Sequence, residues 1–266
     1  TKLSHKGKKG DTIHIPVPAR GSASAKAANT QVTLSAATNS VINISIDQHY
    51  EYSKLIEDIA EVQSLASMRK FYTDDAGYAL ASQVDTKLGS LWEAFQGGTV
   101  GGDNAASWET AVIGSDGTTL YTGNSANSAA ITDAGIRAMI LKLDNADVPM
   151  DNRSLIVAPV VASYMLAINR FTEQQFIGSG DAIKTGKIGG IYGVDVFVTS
   201  NAPSCTGTGG GRDTDRAGVL MHKDALVLAE QVGVRSQTQY KQEYLGDLFT
   251  SDTIYGVAEL RNDAAV

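Results

Sequence analysis

Two runs of strand period stand on either side of a stretch of small residues, and together they need a surface outside themselves. Ile13, Ile15 and Val17 alternate with Thr12, His14 and Pro16, the two-residue period of a strand with one covered face. Ile42, Ile44 and Ile46 alternate with Asn43 and Ser45 in the same way. Between them GSASAKAANT, residues 21–30, has too few large apolar groups to pack on its own. The pattern predicts a long hairpin that projects and rests on something else. Pro16 and Pro18 cannot donate ladder hydrogen bonds, which puts the first strand at a sheet edge. Ahead of it, TKLSHKGKKGD reads as a basic arm without regular structure. Lys6, Lys8 and Lys9 make a solvated charge run there, free to touch nucleic acid or a neighbouring chain.

From Ile56 the period becomes helical. Ile56, Ile59 and Ala60 recur at helix spacing, and Tyr78, Ala81, Val84, Leu88, Leu91, Trp92 and Phe95 continue at steps of three and four, predicting one long amphipathic helix weakened a little by Gly89. Asp74 and Asp75 are placed near its start, where acids complement the helix dipole. QGGTVGG stops it and opens an insertion reaching to about residue 130.

Beyond the insertion the pattern is mixed. Thr132 is an N-cap, Asp133 suits the positive end of the dipole, and Ile136, Met139, Ile140 and Leu143 make a buried face. Val148-Pro149 closes that helix. SLIVA reads as a buried strand, followed by a helix with Val160, Val161, Tyr164, Met165 and Ile168 inward. Val194, Val196 and Val198 form the next strand. Residues 217–244 continue as strands with one turn at Lys223-Asp224, and DTIYGVAELRNDAAV adds the last. No internal repeat is present.

The chemistry-bearing patterns fail one by one. GSGDAIKTGKIGG, residues 178–190, looks at first like a phosphate loop. Five residues separate Gly180 from Gly186, Ile188 stands where a magnesium-binding hydroxyl belongs, and a strand follows rather than a helix. A mobile connecting loop is the better reading. GTGGGR, residues 207–212, has no helix behind it and reads as a turn. His5, His14, His49 and His222 show no metal-ligand spacing, and no GxSxG elbow appears. No catalytic residue, cofactor or metal site is assigned.

Bulk properties narrow the class further. A chain of 266 residues with 42% hydrophobic content can bury a sizeable core. A net charge of −7 argues against a general nucleic-acid binder. The single cysteine, Cys205, rules out an internal disulfide framework and fits a reducing cytoplasm. No apolar run approaches a membrane span. The chain opens at Thr1 without a following apolar segment, which leads to the expectation of a preceding segment, cleaved or absent here.

The order of parts is itself informative: arm, hairpin, long helix, compact α/β unit, return through strands. It resembles the major capsid proteins of tailed bacteriophages, the Hong Kong 97-type fold, and looks closest to those of short-tailed podophages. SIDQHYEYSKLIEDIAEVQSLASMRKFYTDDAGYALASQVD looks like the entry to that family's spine helix, and RSLIVAPVVASYMLAINRF is similar to its strand–Pro–helix. KIGGIYGVDVFVTSNAP, AGVLMHKDALVLAE and YGVAELRNDAAV resemble three further family segments in the right order. Asn262 stands where many relatives have proline, and residues 97–130 have no clear counterpart.

The resemblance implies an α+β chain with an arm at 1–10 and an extended hairpin at 11–49. A peripheral domain with the spine helix would take 50–130 and 233–266, and an α/β axial domain 131–232. It implies a subunit that assembles with itself, as hexamers and pentamers, into an icosahedral shell around double-stranded DNA. The virion capsid is then its location, after assembly in the bacterial cytoplasm, without a membrane. Portal, scaffolding and decoration proteins are the implied partners. The glycine-rich loop would serve conformational change, with Lys184 and Lys187 meeting acidic groups on neighbours or staying solvated. Asp247 and Asp252, placed in the turn between the last strands, would meet Arg20 or Lys26 of a neighbouring hairpin. Some relatives join a hairpin lysine to a neighbour's asparagine, and Lys26 and Asn262 fall in those regions. A solvated lysine is the simpler reading, because the coupling needs a neutral amine in a dry site. The alternatives are an encapsulin-like compartment and an enzyme using the glycine loop for a phosphate substrate.

Overall fold

The computed structural model describes residues 2–4, 10–18, 23, 25–26, 28–31, 39–59, 68–92, 95, 113–118, 129–168, 189–204 and 215–266. Three sheets, three named α-helices and a short 3-10 helix at Asn262–Ala264 carry most of them. The two alternating runs form β2 (Thr12–Pro18) and β3 (Asn39–Ser45), paired antiparallel with Ile13 opposite Ile44 and Ile15 opposite Ile42. They make a two-stranded sheet of their own, so both prolines of β2 lie on an edge strand as expected. At its root the apolar face is closed: Ile44 is buried with Val227 and Ala229, Ile13 and Ile15 pack alongside, and Val17 and Ile42 further out are half-buried.

After a two-residue corner at Ile46-Asp47 the chain enters β4 (Gln48–Glu57). Here the helical reading of Ile56, Ile59 and Ala60 is overturned at Ile56. Gln48, Tyr50, Tyr52, Lys54 and Ile56 keep a period of two, and a ten-residue ladder against β10 (Gly246–Glu259) outweighs a few residues of helical spacing. β10 also pairs antiparallel with β9 (Leu226–Lys241). On the far side of β9 the opening segment forms β1 (Lys2–Ser4), parallel to Leu228–Glu230. Lys2 reaches the Glu230 carboxylate, so at least the first part of the basic arm is a strand held by its ladder, a correction to the irregular reading.

The long helix α1 spans Met68–Gly89 and lies across the β4–β10–β9 sheet. Its buried residues are Ala76, Leu80 and Gly89. Tyr78 is 72% exposed and Ala81 is exposed too, against expectation. The buried stripe of α1 runs through Ala76 and Leu80, which turns Tyr78 and Ala81 toward the exposed side. Trp92 and Phe95, beyond the helix end, are buried as predicted. Gly89 is the last residue of α1 rather than an interior weak point. It lies against Pro203 and the Asn201 carbonyl. Asp74 and Asp75 stand past the first turn, which carries no acid, so the dipole role falls away. Asp75 instead accepts from the Tyr52 hydroxyl at 2.6 Å.

The third sheet runs β6 (Gly190–Ile191), β7 (Val194–Val198), β5 (Arg153–Val157), β8 (Val219–His222). β5 and β7 are parallel, and α3 (Pro159–Leu166) lies on the chain between them. α2 (Asp133–Asn145) starts as the sequence predicts, with the Gly135 N–H donating to the Thr132 hydroxyl at 3.2 Å. Ile136, Leu143, Leu155, Val157, Met165, Val219 and Leu220 form the main core with Trp92 and Phe95. In α3 only Met165 is fully buried, while Val160 and Tyr164 are about half exposed at 53% and 49%. Eight residues make barely two turns, and one face suffices for the contact. Ala264 and Ala265 are buried at the chain end, where Leu220 and Val266 exchange backbone hydrogen bonds at 2.9 Å.

Candidate functional site

Ladder register decides which side chains share a face, because successive residues alternate. On β10, Asp247, Phe249, Ser251, Thr253 and Tyr255 point toward α1 with Tyr50, Tyr52 and Ile56 of β4. Phe249, Ser251, Thr253 and Tyr255 are buried there. Tyr255 stacks on Tyr50 with ring centroids 6.1 Å apart, and the Lys87 ammonium of α1 sits 5.9 Å above the Tyr50 ring. Burial pushes the Tyr255 hydroxyl up to about 12. The Tyr52 hydroxyl is also pushed up to about 12, first by its hydrogen bond to Asp75.

The opposite face carries His49, Glu51, Leu55, Thr250, Asp252, Arg235, Gln237 and Gln239. Asp252 is opposite Arg235 on one side and Glu51 on the other. Arg235 holds its carboxylate through two hydrogen bonds, and the His49 Nε2 lies 3.3 Å from its Oδ2. The Arg235 guanidinium keeps the Asp252 carboxyl below the usual carboxylate range.

The six residues expected at contacts between chains fall out as follows. Asp247 and Asp252 lie on β10 rather than in a turn, because the pairing with β4 and β9 starts at Gly246. They point to opposite faces. Each already has a cation of its own chain: Arg69 of α1 pairs with Asp247, and Arg235 with Asp252. Lys26 is exposed. Arg20, Lys184 and Lys187 lie outside the described residues, as do most of the glycine-rich stretch at 178–190 and all of GTGGGR. No local sequence pattern points to Arg69, Arg235 and His49 as the partners of these acids. For Arg235 the signal is register, since it faces Asp252 across a ladder and not along the chain, whereas Arg69 reaches Asp247 from α1.

Among the described residues no group of His, Cys, Asp or Glu could hold a metal ion. His14 lies 2.6 Å from Asn43 Oδ1 across the hairpin, and the buried His222 accepts from the Asp224 N–H at 3.3 Å. No described helix is long and apolar enough to cross a membrane. What the surface does offer is exposed apolar side chains on several elements. They include Phe71 and Tyr78 on α1, Phe197 on β7, and Tyr244 and Leu245 at the β9–β10 turn.

No family model and no curated protein matches the sequence. Solved structures do match the fold. A chain of the capsid of cyanophage P-SCSP1u superposes with a TM-score of 0.74 at 19% identity, over 98% of this chain and 84% of that one. A chain of the mature capsid of bacteriophage PhiM1 gives 0.70 at 16% identity, over 100% and 83%. A chain of the capsid of Ralstonia phage GP4 gives 0.65 at 14%, over 97% and 82%. At such identities the likeness is one of fold, and the fold of this chain is that of phage capsid subunits.

Proposed function

We propose that the chain is the structural subunit of a tailed-phage shell, many copies of which close into an icosahedral capsid around double-stranded DNA. The observation that carries this reading is a likeness in fold that extends over nearly the whole chain, hairpin and long helix included. In Hong Kong 97-type terms, β2 and β3 are the extended hairpin. α1 with β4, β9 and β10 is the peripheral domain, and the β6–β7–β5–β8 sheet with α2 and α3 is the axial domain.

The chemistry is compatible with such a role. The hairpin's apolar face is only half-buried at Val17 and Ile42 within the described residues, and in this reading an adjacent copy completes its cover. Exposed ion pairs are worth little singly, but a closed shell repeats each contact in every subunit. The acidic balance suits enclosing DNA rather than gripping it. Hexamers, pentamers, a portal and a scaffolding protein complete the reading.

Velocity sedimentation followed by electron microscopy tests it. Closed shells or hexameric sheets are the expected products. A homogeneous monomer or dimer across protein concentrations and ionic strengths would overturn it.

A further inference from the structure

The hairpin leaves the body through a corner that is held from four sides. Strand β3 ends at Ser45 and β4 begins at Gln48, so two residues turn the chain from one sheet into the other. Inside that turn, the Ile46 N–H donates to the Asp11 carbonyl at 2.7 Å, tying the incoming strand to the outgoing one. The Gln231 amide on β9 donates to the Gly10 carbonyl at 3.0 Å. Ile44 is fully buried against Val227 and Ala229. On the fourth side lies Gly256 of β10. A Cβ there would overlap the Ser45 carbonyl oxygen and come within 3.1 Å of the Ile46 Cα.

Those two backbones are in contact because Gly256 has no side chain. Contacts below about 3 Å between such atoms force one strand to move. At Gly256, β10 pairs with Ala229 of β9, its ladder with β4 having ended at Tyr255, and it is anchored in a four-stranded sheet, whereas β3 belongs to a two-stranded sheet with β2. The strand with room to shift is therefore β3, and a shift at its root is carried outward along the hairpin.

We infer that Gly256 is a positioning residue that sets the direction in which the hairpin leaves the subunit, with Gln231 fixing the entry of its first strand. This rests on the capsid reading only for its consequence. If the hairpin must meet an adjacent copy, its take-off direction sets the angle between copies and so the curvature of the assembly.

Spin labels test the geometry directly. With Cys205 replaced by Ser, cysteines at the exposed positions Lys26 and Asp85 on α1 carry the labels, diluted with unlabelled protein. Gly256→Ala is expected to shift the distance distribution between them. It should also turn closed shells into open or irregular products, while the circular dichroism spectrum is kept. Gly77→Ala, on α1 with nothing near its added carbon, should change none of these. If Gly256→Ala fails to fold, Gln231→Ala decides, because it removes the amide that donates to the Gly10 carbonyl at the entry of the hairpin. It is expected to broaden the distribution without changing the melting temperature. An unchanged distribution in the folded Gly256→Ala protein, or failing that in Gln231→Ala, would overturn the inference. Absence of shells from the unsubstituted protein would count against the capsid reading instead, and the label distances would still decide this one.

Discussion

The Arg235 guanidinium donates two parallel hydrogen bonds to the Asp252 carboxylate, Nε to Oδ1 at 2.7 Å and Nη2 to Oδ2 at 2.8 Å. The pair bridges β9 and β10 at directly opposed positions, and Asp252 is the less exposed partner. The hydrogen bonds hold the folded-state pKa of Asp252 below its ordinary value. A depressed carboxyl contributes stability that is present above its unfolded pKa, about 3.9, and is lost as pH falls through the lower folded value. Melting temperature measured from neutral to strongly acidic pH should therefore fall less steeply in Asp252→Asn than in the parent. Parallel curves would show that the pair does not contribute to acid sensitivity.

Thr132 illustrates a prediction that needs only a short stretch of sequence. Its hydroxyl accepts from the Gly135 N–H and donates to the Ser115 carbonyl at 2.9 Å. Thr132→Ala should cost about 1 kcal/mol in urea unfolding. Thr132→Asn, which keeps an accepting oxygen, should recover part of it. Equal losses in both would assign the effect to the Ser115 contact instead.

That contrast marks what sequence could reach. Local rules work at Thr132, at the alternation of Ile13 and Ile15, and at the turn of Lys223-Asp224, because the signal and the structure lie within a few residues. They fail at Ile56, where a distant ladder decided between strand and helix, and at Tyr78, where the buried stripe of α1 runs through Ala76 and Leu80 instead. Asp252 was picked out by charge, but its partner 17 residues back on β9 needed the register of a bulged hairpin. The resemblance of ordered segments reached the fold when no single segment could. Among those segments the SNAP run at residues 200–203 has a local role. Asn201 donates to the Ser82 hydroxyl at 3.1 Å and Pro203 lies against Gly89, so the run joins the third sheet to α1.

Tyr255 is 1% exposed, and its hydroxyl has no hydrogen-bond partner among the described residues. An unpaired buried hydroxyl costs stability, and removing it relieves that cost. Tyr255→Phe should match or exceed the parent in urea unfolding, to within about 1 kcal/mol. A clear loss would mean that the hydroxyl is satisfied by a group outside the described residues.

Gly135 sets helix propensity against space. In the first turn of α2 an alanine would normally gain up to about 1 kcal/mol over glycine. Here an added Cβ would overlap the Ser115 carbonyl oxygen, and overpacking of this kind costs about 1–3 kcal/mol. The clash wins on these magnitudes, so Gly135→Ala should destabilise the protein in thermal unfolding. A stabilised variant would show that the 113–118 segment yields to α2 rather than fixing it.

Arg153 is a charged residue at the start of a strand otherwise read as buried and apolar, and it is only 3% exposed. Its Nε donates to the Pro149 carbonyl at 2.9 Å, and its Nη2 to the Val148 carbonyl at 2.6 Å. The same Nη2 lies 2.7 Å from the Asp144 carboxylate. One guanidinium thus closes the chain between the end of α2 and β5 by satisfying carbonyls that the Val148-Pro149 turn would otherwise leave unpaired. Arg153→Met keeps the stem and removes every donor. It strands a partly buried carboxylate, so the expected loss is about 3 kcal/mol or more. Arg153→Met with Asp144→Asn removes the stranded charge but not the unpaired carbonyls, and should recover only part of that loss. Full recovery would make the ion pair the important contact, while no recovery would assign the whole effect to the two carbonyls. The second result would make Arg153 a turn-closing residue whose charge is incidental.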